Sequence, residues 1–225
     1  MRTDRKPIFC YVTDRRLLDA VPVSAQIPPG QILLPHVNSL YDFIPRVIAA
    51  GIDWIQIREK DLDARALLEV ARFAVGATRG TQTRVLINDR LDVALAASAT
   101  GIHLGEKSLP LQTLVEWRRS SGRSDFQIGV SCHSLESACA VEAGGADYIF
   151  FGPVFATPSK AAFGAPQGLD RLREVCASVK IPVLAIGGMN FENVRDCLKA
   201  GASGVAAIRL FQNAKDPEEL KTALQ

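Results

Sequence analysis

The stretch EAGGADYIFF, residues 142–151, runs from a helix-like segment through two glycines into an apolar run. A glycine just past a helix end suits the left-handed cap position. A continuous run of Tyr, Ile and Phe suits a strand covered on both faces. The same join recurs as AAGIDWI (49–55) and KAGASGVA (199–206). Each has alanine, a capping glycine, a small or acidic residue and then a strand, so the three joins mark one repeated βα unit.

Working outward, short apolar runs recur along the chain: 8–13, 53–57, 84–87, 101–104, 127–131, 146–151, 182–186 and 204–208. Amphipathic stretches lie between them at 64–79, 91–99, 111–120, 135–143, 168–179 and 192–200, with apolar residues at three- and four-residue spacing. Asn190 precedes one of these, and Ser134 stands three residues before Ser137, so both read as helix starts. Eight units in 225 residues give about 28 residues each, which suits a compact (β/α)8 barrel better than an open doubly wound sheet. The expected fold class is therefore α/β, a single TIM-barrel domain over residues 1–225. Residues 20–39 are rich in Pro and read as a long loop between the first strand and the first helix.

Composition narrows the function. Hydrophobic residues make up 48%, enough for a sizeable core. The formal charge is +2, from 26 basic and 24 acidic residues, which argues against a nucleic-acid or membrane-surface binder. No apolar run approaches a membrane span, and MRTDRKPIF lacks the apolar region of a signal peptide. Cys10, Cys132, Cys139, Cys176 and Cys197 form no CxxC or Cys/His zinc spacing; free, mostly buried thiols in a reducing cytoplasm are expected.

In a barrel the chemistry sits where strands end. Those ends carry Thr13, Asp14 and Arg15; Gln56, Arg58, Glu59 and Lys60; Asn88, Asp89 and Arg90; His103 to Ser108; Ser131 to His133; Gly152 to Lys160; Gly187 and Gly188; Ile208 and Arg209. His103 alone reads as a packed, hydrogen-bonded histidine. Arg58 and Lys60 alternate, so both can face one way and, with Lys160, surround a multiply charged anion. Asp89 is a hard oxygen donor of the kind Mg2+ takes alongside phosphate oxygens. Gly187 and Gly188 clear side chains where backbone N–H groups would meet a ligand, at the usual phosphate site of such barrels. Two phosphate-sized sites on one rim suggest two phosphorylated ligands, or one ligand charged at both ends.

QIREK (56–60), NDR-x-DVA (88–94), GIHLG (101–105), GVSCH (129–133), ADYIFFGPVFATPSK (146–160), PVLAIGG (182–188) and AGASGVAAI (200–208) together resemble the thiamine phosphate synthase/TenI family. The resemblance runs from about residue 8 to the C-terminus and implies a (β/α)8 barrel with one of two activities. The synthase joins a pyrimidine diphosphate to a hydroxyethylthiazole phosphate, releasing pyrophosphate with Mg2+. The tautomerase isomerises a carboxythiazole phosphate to its aromatic form.

By that resemblance Gln56, Arg58, Lys60, Asn88 and Lys160 hold the pyrimidine diphosphate, and Asp89 is a Mg2+ ligand. Ser131 lies beside the pyrimidine, Thr157 and Ser159 contact the thiazole phosphate side, and Gly188, next to Gly187, is its backbone anchor. Ile208 and Arg209 close the substrate rim after the last strand, and His133 is the tautomerase acid/base. The partners implied are these small phosphorylated pyrimidine and thiazole substrates, and a homodimer is the assembly that family members suggest.

Two positions depart from the synthase pattern. Ser108 stands where a second Mg2+ carboxylate is expected, with Glu106 nearby at the wrong offset, and Arg209 stands where a small hydroxyl residue is usual. The first favours the tautomerase. The retained set Arg58, Lys60, Asp89 and Lys160 favours the synthase. A non-catalytic binder of thiazole or thiamine phosphate is the third reading.

Overall fold

The computed structural model describes residues 6–18, 37–105, 107–157 and 165–214. In chain order the elements are β1 (Ile8–Val12), a 3-10 turn (Arg15–Leu17), α1 (Val37–Ala49), β2 (Trp54–Ile57), α2 (Ala64–Ala77), β3 (Arg84–Asn88), α3 (Leu91–Ala96), β4 (Gly101–Leu104), α4 (Leu111–Ser120), β5 (Gln127–Cys132), α5 (Leu135–Ala143), β6 (Tyr148–Phe151), α6 (Gly168–Ser178), β7 (Val183–Ile186), α7 (Val194–Lys199), β8 (Gly204–Ala207) and α8 (Arg209–Gln212). The strands pair in parallel with their sequence neighbours, and β1 pairs with β8 through Ile8↔Gly204 and Cys10↔Ala206, closing a barrel.

All eight expected strands form. One boundary differs: the loop expected over residues 20–39 ends early, because α1 already begins at Val37, while residues 19–36 lie outside the described residues. The three recurrent joins hold. Gly51, Gly145 and Gly201 take φ of +91°, +92° and +100°. The acidic residue in two of them has a clear job. Asp53 accepts from the Phe9 amide at 2.9 Å, and Asp147 accepts from the Ile128 amide at 2.7 Å, so each carboxylate satisfies the opening N–H of a neighbouring strand. Ser134 and Ser137 form a reciprocal capping box at α5, and Asn190 accepts from the Glu192 and Asn193 amides ahead of α7. All five cysteines are free, and all but Cys139 are buried.

The core has two layers. Between strands and helices lies a large apolar layer that includes Phe9, Tyr11, Ile55, Ile87, Phe151 and Phe211. Inside the barrel, Cys10, Val12, Trp54, Leu86, Tyr148, Phe150, Leu184 and Ala206 pack together, with Ile8, Ile186 and Ile208 at their edges. Bulky inward residues are accommodated by glycines in the same layer. A Cβ on Gly129 would fall 1.9 Å from the Tyr148 ring, and one on Gly204 would fall 1.9 Å from the Ile8 carbonyl oxygen. Packed at the density of a protein interior, this fill makes the barrel a plug, so ligands must meet it at the rim where the strands end.

Candidate active site

At the ends of β2, β3 and β4 a hydrogen-bonded chain crosses the rim. Gln56, 2% exposed, donates through Nε2 to Asn88 Oδ1 at 3.0 Å. Asn88 Nδ2 donates to Asp89 Oδ2 at 2.6 Å. Ser108 Oγ donates to Asp89 Oδ1, and the Gly105 amide donates to Ser108 Oγ at 2.6 Å and, more weakly, to Asp89 Oδ1 at 3.4 Å. Asp89 holds a left-handed backbone at φ +62°, a conformation in which aspartate is tolerated better than most residues. Ser108 therefore touches the carboxylate that the resemblance makes a metal ligand. Arg90 bonds Asp92 at 2.9 and 2.5 Å. Glu106 lies outside the described residues.

The segment after β2 sorts its charges by side. Arg58 is half-buried, Glu59 is buried and Lys60 is exposed. The Arg58 amide donates to Thr13 Oγ1 at 2.9 Å. Glu59 turns away from its neighbours to Arg15, whose Nη1 lies 3.0 Å from Glu59 Oε2 and 2.7 Å from Asp61 Oδ1, with Nη2 2.8 Å from Asp61 Oδ2. The Arg15 amide also donates to Glu59 Oε1 at 3.1 Å. Burial raises the Glu59 pKa, against the opposing hydrogen bonds of Thr13 and Arg15, while the bonds from Arg15 hold Asp61 down at about 2. A buried ion pair of this kind adds little net stability, but removing either partner would strand a buried charge. Its effect here is positional: it pins the segment that carries Arg58 and Lys60 to the β1 loop.

Inside the barrel, His103 of β4 joins Ser131 near the end of β5 and Tyr148 at the start of β6. His103 Nε2 lies 2.9 Å from Ser131 Oγ, and Nδ1 lies 3.1 Å from the Tyr148 hydroxyl. The ring stacks on Phe150 at a centroid distance of 4.1 Å. Burial, helped by the positive charge of Arg58, drops the His103 pKa to about 3, so the imidazole is neutral at physiological pH. The packed histidine expected from the sequence is present. Its bridge to a rim hydroxyl had no local signal, because the three residues come from three strands.

The remaining rim residues sit around β5 to β8. His133 Nδ1 hydrogen-bonds the Gly152 carbonyl. Thr157 is half-buried at the edge of the described residues; Ser159 and Lys160 lie outside them. Ile208 packs against the barrel interior, and Arg209 is exposed at the start of α8. Gly187 and Gly188, at φ +97° and +68°, have a reason in the fold itself. A Cβ on Gly187 would lie 2.6 Å from Pro153 Cα, and one on Gly188 would lie 2.6 Å from the Ala156 oxygen. The space they clear is filled by the loop after β6, whose Val154 and Phe155 amides donate to Ile186 and Gly187 oxygens at 2.9 and 3.1 Å. The glycines therefore seat the loop that leads to Thr157.

The described rim thus brings Gln56, Asn88, Asp89 and Ser108 into one chain, and Ser131 to His103 within the field of Arg58. Residues 31–211 match the family model described as thiamine monophosphate synthase. The chain is 49% identical over 187 residues to a Geobacter sulfurreducens protein provisionally named thiamine-phosphate synthase, covering 83% of this chain and 86% of that one. It is 38% identical over 187 residues to the thiamine-phosphate synthase of Roseiflexus castenholzii, covering 83% and 80%. Among solved structures, thiamine phosphate pyrophosphorylase from Pyrococcus furiosus aligns with a TM-score of 0.78 at 33% identity, over 97% of this chain and 96% of that one. In sequence and in barrel, the chain belongs to the thiamine monophosphate synthase family.

Proposed function

We propose that this protein is a thiamine phosphate synthase, which joins hydroxymethylpyrimidine diphosphate to hydroxyethylthiazole phosphate and releases pyrophosphate. The observation that carries the reading is the continuous chain from Gln56 through Asn88 to Asp89 and Ser108, with Arg58 on the adjoining segment. Neutral amides, a carboxylate and a cation on one rim suit a diphosphate and the pyrimidine attached to it.

In the reaction the C–O bond between the pyrimidine methylene and the diphosphate breaks, and the electron pair leaves with the diphosphate. The thiazole nitrogen lone pair then forms the new C–N bond, giving the thiazolium. Arg58, Lys60 and Lys160 are assigned to the departing negative charge, where fixed cations lower the barrier most. Thr157 and Ser159, with the Gly188 backbone, are assigned to the thiazole phosphate, holding its nitrogen in line with the methylene. Ser131 is assigned to the pyrimidine ring.

Mg2+, when bound, would neutralise the leaving diphosphate. The donor set fits such an ion in part: Asp89 supplies one carboxylate and Ser108 one hydroxyl, and among the described residues no group of three His, Cys, Asp or Glu side chains gathers into a cage. Hard oxygens completed by substrate phosphates and water are the usual Mg2+ arrangement. No helix among the described residues is long and apolar enough to cross a membrane.

A second reading rests on His133. The Gly152 carbonyl only accepts, so Nδ1 carries the proton of the neutral ring and Nε2 is its basic nitrogen. That arrangement suits a general base for thiazole tautomerisation. The two readings separate in one assay: purified protein, both synthase substrates and Mg2+. Equal amounts of thiamine phosphate and pyrophosphate support the synthase. Neither product, together with aromatisation of carboxythiazole phosphate, would replace it with the tautomerase.

A further inference from the structure

His103, Gly129 and Tyr148 occupy one register row across β4, β5 and β6. Gly129, in the middle, has no side chain, and the Tyr148 ring fills the space a Cβ would take. The histidine and the tyrosine therefore meet across it, with Tyr148 Oη 3.1 Å from Nδ1. Tyr148 is wholly buried between Trp54 and Phe150, and among the described residues His103 is the hydrogen-bond partner of its hydroxyl.

Hydrogen-bond direction follows from this geometry. A phenol buried with one partner gives up more by leaving its O–H unbonded than by leaving a lone pair unbonded, and a ring nitrogen is the better acceptor of the two groups. Tyr148 therefore donates to Nδ1. A charged imidazole stacked on Phe150 inside an apolar barrel would need a carboxylate, and the groups facing it are Tyr148, Ser131 and the cationic Arg58. The neutral ring then carries its proton on Nε2, which donates to Ser131 Oγ at 2.9 Å. Ser131 cannot donate back to a nitrogen that already bears a proton, so its own O–H points to another acceptor.

We propose that Tyr148 and His103 act as positioning residues, forming a proton-ordered relay that makes Ser131 a hydrogen-bond donor at the rim, so that Ser131 selects an acceptor atom on the substrate. The relay stands on the barrel geometry; the identity of the acceptor rests on the synthase reading above. An aminopyrimidine offers acceptors at its ring nitrogens and donors at its amino group. The Ser131 O–H therefore donates to a ring nitrogen.

Two measurements test the two parts separately. Nitrogen-15 NMR of the labelled protein, with the His103 signals identified by loss in His103→Gln, reads the tautomer without any ligand. A protonated Nε2 with an unprotonated Nδ1 is expected. The opposite tautomer, or a doubly protonated ring at neutral pH, overturns the relay. In Tyr148→Phe, Nδ1 loses its donor, and its nitrogen-15 signal is expected to move downfield, as an acceptor nitrogen's does when a hydrogen bond is removed, while Nε2 stays protonated. An unmoved Nδ1 signal would show that Tyr148 does not donate to it.

The second measurement is synthase kinetics with hydroxymethylpyrimidine diphosphate and analogues in which either ring nitrogen is replaced by C–H. Ser131→Ala should raise KM for the natural substrate about fivefold to tenfold, the loss of one ordinary hydrogen bond. It should have no further effect on the analogue lacking the bonded nitrogen. Additive losses for both analogues would overturn the assignment of the acceptor. Absence of synthase turnover in the unmodified protein would refute the synthase reading, and the NMR result would still decide the relay.

Discussion

Gly188→Ala separates the seating of the β6 loop from simple backbone strain. Gly188 has φ +68°, and its added Cβ would lie 2.6 Å from the Ala156 oxygen and 2.7 Å from Phe155 Cβ. A left-handed alanine costs roughly 1–2 kcal/mol. Pushing packed backbone aside adds about 1–3 kcal/mol. The total of about 2–5 kcal/mol, at roughly 2–4 °C per kcal/mol for a chain of this size, lowers Tm by about 4–20 °C. Gly80→Ala is the matched control, because Gly80 has φ +79° with no atom within 4 Å of an added Cβ. It should incur the backbone term alone, about 2–8 °C. Because Ala156 precedes Thr157, Gly188→Ala should also raise KM for the thiazole phosphate more than KM for the pyrimidine diphosphate, most of whose assigned contacts (Gln56, Arg58, Lys60 and Asn88) lie on β3 or on β2 and the segment after it. Circular-dichroism melts of both variants and kinetics with each substrate varied make the test. Equal melting of the two variants, with unchanged KM values, would mean that Gly188 does not seat the loop after β6.

Ser108→Asp places a second carboxylate against Asp89. The half-saturating Mg2+ concentration for turnover should fall about tenfold or more, and Mg2+ should raise Tm of the variant more than that of the parent; no change in either would take Ser108 out of the metal position. Arg58→Ala should raise KM for the pyrimidine diphosphate about 10- to 100-fold, the range of a charge-assisted hydrogen bond, and an unchanged value would remove Arg58 from the diphosphate site. Asp61 is held at about 2 by Arg15. Its folded pKa lies below the unfolded value of about 3.9, so its contribution is complete above about pH 5 and is lost as pH falls through 4 toward 2. The Asp61 side chain is 47% exposed, which limits that contribution to about 1 kcal/mol or less. The denaturant-measured stability gap between parent and Asp61→Asn should close over that window, and a gap independent of pH would contradict the pairing.

The barrel was legible because its strands are buried on both faces and its joins repeat. Continuous apolar runs mark the strands, and Gly51, Gly145 and Gly201 mark the helix ends by a local conformational need. Rim residues were legible as types at strand ends. Their partners were not, because pairing around a closed barrel is set by register between segments far apart in sequence. Nothing local shows that Glu59 turns to Arg15, 44 residues away. Nothing local shows that Gly129 is the gap across which His103 meets Tyr148. Gly187 and Gly188 were recognised as special, but they make room for the neighbouring loop, which only the fold reveals. The start of α1 at Val37 was hidden by a Pro-rich approach whose composition reads as loop.

This rim is proposed to hold a diphosphate and a second phosphate for one C–N bond-forming step. The deciding assay mixes the purified protein with hydroxymethylpyrimidine diphosphate, hydroxyethylthiazole phosphate and Mg2+ and follows pyrophosphate and thiamine phosphate together. Both should appear in equal amounts, only when both substrates are present, and Arg58→Ala should suppress both. Pyrophosphate without thiamine phosphate, or neither product, would contradict that proposal.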